Sequence, residues 1–131
     1  MTIYMKLGGR PAMREAVERL LQRVRIDAGF SKAGQHLSQE MQDDLLEFLI
    51  FLSGGAPVYD GISVSRLLSP LCQTDEAYDL FVDHLATAMC VPERSPRLEV
   101  ELRLMMEHIR VHVVDRHPAG IPGQESGAAV A

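Results

Sequence analysis

The sequence predicts an all-α protein with a single folded domain. Long segments place apolar residues three and four positions apart, which is the period of an amphipathic helix. No pair of alternating Val/Ile/Thr-rich segments is closed by a tight hairpin turn. The length of 131 residues suffices for one hydrophobic core. We assign residues 1–117 to the domain and residues 118–131, which are rich in Gly, Pro and Ala, to a flexible tail.

The composition argues against several classes of function. The formal charge is −5 and no run of Lys or Arg exists, so we expect no nucleic-acid partner. The cysteines, Cys72 and Cys90, predict neither a disulfide framework nor a CxxC metal site. Reduced thiols are typical of the cytoplasm, which is the expected location. No apolar stretch is long enough to span a membrane, and Lys6 and Arg10 interrupt any signal-peptide core.

The first long helix is predicted to begin near Pro11, because proline is well tolerated in a first helical turn. Its apolar stripe consists of Met13, Val17, Leu20 and Val24, with Leu21 beside it. The helix ends around Asp27 and Gly29. Residues 29–37 are small and polar and are interpreted as a connector.

The second long helix is predicted for residues 38–53, with its central stripe at Met41, Leu45, Phe48 and Leu52. Further apolar residues widen this stripe, which indicates deep burial. Gly54 is placed to end the helix in a left-handed conformation. Tyr59 is expected to anchor the following turn against the core, and Asp43 and Asp44 are interpreted as part of a solvated face.

A short helix is predicted within residues 64–72, with Pro70 ending it before Cys72. Thr74, followed by two acidic residues, is typical of a helix start and predicts the third long helix, which Pro92 ends. His84 on that helix is expected to face away from the pocket beside the short helix. These signals place a short helix between two long ones.

The last helix is predicted to start at Ser95–Pro96 and to continue to about Arg116. Its core stripe is Leu98, Leu102, Met105, Ile109 and Val113. A second apolar line, on a largely different face, is Val100, Leu104, Val111 and Val114. A helix that is apolar on two faces is either central in the fold or half of an interface.

Three motifs resemble those of the truncated hemoglobins. Residues 3–10 (IYMKLGGR) resemble the opening of that family, and Gly54–Gly55 with Tyr59 and Gly61 resembles its second glycine signature, with the proline displaced by one position. Residues 74–78 (TDEAY) resemble the start of its penultimate helix. The match covers residues 2–116, and its spacing is similar to the group I branch. The resemblance implies a two-over-two helical sandwich around a pocket that usually holds heme.

The resemblance also implies that the usual heme ligand is missing. The family holds heme through one histidine on the short helix, and the register set by Thr74 places Leu68 at that position. No histidine lies between His36 and His84, so a shifted alignment does not supply one. Iron needs an imidazole or a thiolate, and a hydrocarbon side chain replaces neither.

The distal side of the implied pocket is altered as well. Leu21 stands where the family commonly has a tyrosine that donates a hydrogen bond to bound oxygen, whereas Phe48 is kept in kind. The former heme-pocket positions are therefore Leu21, Met41, Leu45, Phe48 and Leu68. These hydrocarbon side chains predict a cleft that closes on itself at native packing density.

Alternative axial ligands for a heme are Cys72, Met41, His108 and His112. Against this, Cys72 is interpreted as a buried thiol and Met41 as a core residue. The i, i+4 pair of histidines can hold a metal, but no third ligand is evident and we expect no metal site.

We therefore expect a hemeless, non-enzymatic accessory or interaction protein with no cofactor. It would act through partner binding, to another protein or to a second copy through the last helix, or through a residual apolar cavity. The alternative is a truncated hemoglobin that binds heme and O2 or NO through an unusual axial ligand.

Overall fold

The computed structural model describes residues 2–90 and 96–114, and these residues contain helices but no strand. The helices are α1 (Ile3–Leu7), α2 (Arg10–Arg25), α3 (Lys32–Gln35), α4 (Gln39–Leu52), α5 (Val64–Leu68), α6 (Asp75–Cys90) and α7 (Pro96–Val113). The all-α prediction is confirmed. Pro92, Ser95, Arg116, His117 and the predicted tail lie outside the described residues.

The long helices form two pairs that pack on each other. Helix α2 packs against α4, α6 packs against α7, and α2 crosses onto α6. The short helix α5 lies against both α4 and α7. The predicted stripe of α2 is buried in the interface between the pairs, with Met13 and Leu20 fully covered. This arrangement is the two-over-two helical sandwich that the sequence predicts.

Most of the predicted helix boundaries coincide with observed caps. The Ser38 side chain accepts a hydrogen bond from the Met41 N–H at the start of α4, and the Thr74 hydroxyl accepts one from the Ala77 N–H before α6. Gly54 follows α4 with φ of 97°, the left-handed conformation expected of it. These local signals explain why the long helices could be predicted from the sequence.

Other boundaries differ from the prediction. Helix α5 ends at Leu68, so Leu71 and Cys72 lie in the turn that follows it, where both N–H groups donate to the Leu68 carbonyl. Helix α7 ends at Val113, not near Arg116. The predicted connector contains α3, which starts where the Ser31 hydroxyl accepts a hydrogen bond from the Gly34 N–H.

Helix α1 was not predicted as an element, and it is seated on the turn after α4. The Tyr4 N–H donates to the Ser53 carbonyl at 2.9 Å. The Tyr4 ring lies so close to Gly55 that a Cβ atom there would be 2.5 Å from it. The two Gly-Gly motifs therefore act together: Gly8–Gly9 ends α1, and Gly54–Gly55 leaves space for the Tyr4 ring.

The turn between α4 and α5 is held by two side chains of different kinds. Tyr59 packs edge-on against Phe48 with ring centroids 5.4 Å apart, and its hydroxyl donates to the Ile62 carbonyl, as its predicted anchoring role requires. Asp44 accepts a hydrogen bond from the Ile62 N–H at 2.9 Å and is half-buried. The interpretation of Asp44 as part of a solvated face is therefore wrong, because the loop folds back onto it.

Polar contacts join α6 to its neighbours. The fully buried Tyr78 donates its hydroxyl to the Met106 carbonyl on α7, and the Arg110 guanidinium lies 4.6 Å from the centre of the Tyr78 ring. Arg19 on α2 donates two hydrogen bonds to the Ala88 carbonyl in the last turn of α6. A carbonyl that would otherwise lack a helical partner is thus satisfied by another helix.

His84 bridges two residues near the end of α2 and packs against the Phe30 ring, as expected of a residue that faces away from the implied pocket. Its Nε2 atom is 2.6 Å from Asp27 Oδ2, and its Nδ1 atom accepts a hydrogen bond from Arg23 Nε. The hydrogen bond to His84, together with one from the Gly29 N–H, lowers the pKa of Asp27. The charged carboxylate therefore stabilises the contact between α2 and α6.

We expect the Gly55→Ala variant to lower the free energy of unfolding by about 1–3 kcal/mol, the usual cost of overpacking. The added methyl group would collide with the Tyr4 ring, which must then move. Urea unfolding of both proteins measures the effect. In a Tyr4→Ala background the same substitution should cost much less, and an unchanged cost would contradict the contact as its cause.

The Asp27→Asn variant should lower the free energy of unfolding at pH 7 by about 1.5–3 kcal/mol, the usual contribution of a hydrogen bond to a charged group. Because folding lowers the pKa of Asp27, this contribution is present above the unfolded pKa of about 3.9 and is lost as the pH falls through the lower folded value. Urea unfolding at several pH values measures the difference between the two proteins. In a His84→Leu background the difference should be smaller, and an equal difference there would exclude His84 as the main cause.

Candidate functional site

The positions that correspond to the family's heme pocket lie between α4 and α5. Leu45 and Phe48 project from α4, and Leu68 is the last residue of α5. Their exposed fractions are 0%, 2% and 0% respectively. Protein atoms therefore cover all three side chains.

The remaining two former pocket positions lie at the edge of the same region. Leu21 on α2 is 8% exposed, and Met41, in the first turn of α4, is half-buried and packs against the core. Neither offers a hydrogen-bond donor to a bound ligand. Both positions therefore carry apolar side chains.

Cys72 is the sulfur-containing residue nearest to Leu68 in the sequence, and its side chain is fully buried. Burial raises the pKa of its thiol to about 12, so the group is neutral at physiological pH. A metal ligand must be the thiolate, which this environment disfavours. The interpretation of Cys72 as a small buried thiol fits its position.

The histidine pair on α7 faces solvent. His108 and His112 are both exposed. Within residues 2–90 and 96–114, no three His, Cys, Asp or Glu side chains are grouped so that they could hold a metal ion.

The residues at the former pocket positions do not fit a heme group. A heme needs a nitrogen or sulfur ligand on one side and a slot for its flat ring between two helices. Here Leu68 supplies no ligand, and α5 packs directly against α4. Leu45, Phe48 and Leu68 are part of the buried apolar core.

A groove of about 470 Å³ lies between α2 and α4 and was not anticipated from the sequence. Its floor is formed by Val17, Leu21 and Leu46, and charged residues such as Arg14 and Glu18 line it. Beside it, Arg10 and Glu47 form a two-point ion pair. This charged groove differs from the residual apolar cavity that the sequence suggested.

The outward face of α7 carries three exposed apolar side chains, which we call the outer stripe: Val100, Leu104 and Val111. Their exposed fractions are 55%, 66% and 66%. The opposite face of the helix is buried through Leu98, Leu102, Met106 and Val113. Val114, which we assigned to the same apolar line, is buried, because it lies beyond the end of α7.

The charged neighbours of the outer stripe are held in place by ion pairs. Arg103 contacts Asp83 on α6 and Glu99 on its own helix, and Lys6 on α1 contacts Glu101. The stripe is therefore a narrow apolar surface between two charged edges.

Among the described helices, none is long and apolar enough to cross a membrane.

Comparison with known proteins agrees with this geometry. The family model for bacterial-like globins matches residues 2–115. The truncated hemoglobin of Tetrahymena pyriformis in its Fe(III) form aligns with a TM-score of 0.78 and 23% identity, over 88% of this chain and 100% of that chain. The 2/2 hemoglobin of Synechococcus sp. PCC 7002, with covalently attached heme, aligns with a TM-score of 0.69 and 21% identity, over 82% and 91% of the two chains. No curated protein sequence matches significantly.

These matches confirm the resemblance on which the fold prediction depends. The family model covers every described helix, and the structural neighbours share the two-over-two arrangement. The chain therefore belongs to the bacterial-like globin family and has the fold of the truncated hemoglobins.

Proposed function

We propose that this protein is a non-enzymatic, cytoplasmic globin that works without heme and acts by binding another protein chain. The observation that carries the proposal is Leu68, an apolar residue at the expected ligand position that is completely covered by its neighbours. Without an iron ligand, the chemistry of the family has no centre in this chain.

The packing around Leu68 supports the loss of the cofactor. Fully burying a leucine side chain contributes about 1.5–3 kcal/mol, so Leu45 and Leu68 stabilise the fold where a heme would otherwise fill space. Opening the cleft for a ring would expose both side chains again. The same coverage favours partner binding over a residual apolar cavity as the mode of action.

The outer stripe supports a function on the surface. A surface helix normally presents polar residues on the side opposite its buried face. Helix α7 instead exposes Val100, Leu104 and Val111 there. Covering such side chains with another chain would contribute about 25 cal/mol per Å² of apolar surface removed from water.

A heme-binding function is the second candidate, because the similar hemoglobins carry Fe(III) or covalently attached heme. In this chain the iron would need an unusual axial ligand, from Cys72, Met41, His108 or His112. The cleft would also have to open, because Leu45 and Leu68 are covered.

Addition of hemin to the purified full chain decides between these candidates. We expect the visible spectrum to match that of free hemin after the unbound fraction is removed, because Leu68 supplies no ligand. A heme-binding truncated hemoglobin stripped of its heme serves as the control for the procedure. A sharp, stoichiometric Soret band that collapses in Cys72→Ser, Met41→Leu or either histidine variant would contradict the proposal.

The Leu104→Glu variant should lose association with the partner while its free energy of unfolding changes by no more than about 0.5 kcal/mol, as is usual at exposed positions. The measurement is co-purification of the full-length variant from its host, beside the wild type. Ile26→Glu is a matched control, since Ile26 is 86% exposed at the end of α2. The binding surface would be misplaced if Leu104→Glu kept the same associated chains as the wild type.

A further inference from the structure

We propose that the partner covering the outer stripe is a second copy of this chain, with the two α7 helices antiparallel across a two-fold axis near Met105. This inference rests on the proposed function and specifies its binding partner. It follows from the spacing of the apolar residues and from the charges beside them.

The apolar residues of the stripe match each other when α7 is reversed. A two-fold axis places the same surface on both sides of the interface, so each residue must find its complement on an identical helix. An antiparallel pair that crosses at Met105 brings Val100 opposite Val111 of the second copy. The two Leu104 side chains then meet beside the axis, and the three exposed residues of each copy are covered.

The charges on the edge nearer α6 match in the same arrangement. With about 3.6 residues per turn, Arg103 and Glu107 lie on the same side of the stripe. Arg103 contacts Asp83, and Glu107 contacts Arg110, which itself contacts Asp75 and Asp79 on α6.

The two-fold rotation places the edge of α7 nearer α6 against the same edge of α7 in the second copy. Arg103 therefore comes level with Glu107 of the second copy, and the pair occurs twice. Both residues keep part of their side chains exposed in the single chain.

A parallel arrangement fits less well. It would place Glu107 beside His108 of the second copy, so Glu107 would lose its pairing with the Arg103 guanidinium. It would also align the dipoles of the two helices, whereas the antiparallel arrangement opposes them. The antiparallel pair is therefore the arrangement that uses full charges and favourable dipoles together.

The size of the stripe sets the expected affinity. Helix α7 has 18 residues and is about 27 Å long at 1.5 Å per residue. One helix face covers less than the roughly 800 Å² per partner of a standard stable interface. We therefore expect a dimer with a dissociation constant in the micromolar range.

A charge-reversal experiment on the full-length protein tests the arrangement. Sedimentation velocity from low-micromolar to millimolar concentration should show a reversible dimer for the wild type and for the Ile26→Glu control. Leu104→Glu should be monomeric. Arg103→Glu and Glu107→Arg should each weaken the dimer by at least about tenfold, because like charges then face each other across the axis.

The decisive measurement is an equimolar mixture of the two charge variants. In the mixed dimer, the introduced carboxylate at position 103 faces the introduced guanidinium at position 107, and the native Glu107 faces the native Arg103. The mixture should therefore associate about as strongly as the wild type. Thermal unfolding of each variant establishes that it is folded. The double variant carries both Arg103→Glu and Glu107→Arg in one chain, so opposite charges again face each other across the axis. It should dimerise on its own.

The outcomes separate this inference from the proposed function. A wild-type chain that stays monomeric at millimolar concentration overturns self-association, as does a mixture that fails to associate. If the wild type stays monomeric but binds a different host protein, and Leu104→Glu loses that protein, the proposed function stands while the inference fails. A dimer that also binds hemin stoichiometrically supports the inference and overturns the hemeless function.

Discussion

The turn at Gly54–Gly55 is the constraint on which the rest of the fold depends. Gly54 takes a left-handed conformation that ends α4, and Gly55 leaves space for the Tyr4 ring. The hydrogen bond from the Tyr4 N–H to the Ser53 carbonyl then ties the first helix to the end of the fourth. A larger residue at either glycine would disturb both the N-terminal helix and the direction in which the chain leaves α4.

The direction in which the chain leaves α4 determines which side chains fill the interior. The chain returns over Asp44 and Tyr59 and delivers α5 against α4 and α7, with Leu67 and Leu68 pointing into the core. In a heme globin the same turn would deliver an iron ligand. Here the same backbone path delivers Leu67 and Leu68, which are buried in the core.

The sequence predicted features that depend on local chemistry and missed those that depend on distant contacts. Caps at Ser38 and Thr74 and the glycine after α4 are encoded within a few residues, and their helices were predicted correctly. Helix α1 depends on Ser53, which lies far along the chain, and Asp44 acquires its role only when Ile62 folds back. Periodicity revealed a core stripe and a second apolar line on α7, but only packing could show that most of the second line faces solvent.

The two faces of α7 can therefore serve separate purposes. Leu102 and Met106 are fully covered and stabilise the core, whereas Val100 and Leu104 lie on the opposite side and contribute little to folding of the single chain. Side chains on opposite faces of one helix share no contacts, so changes to them should act independently. If the chain binds no cofactor, as we propose, its stability does not depend on ligand binding. Its exposed helix face is then free to acquire a binding role without any change to the interior that holds the fold together.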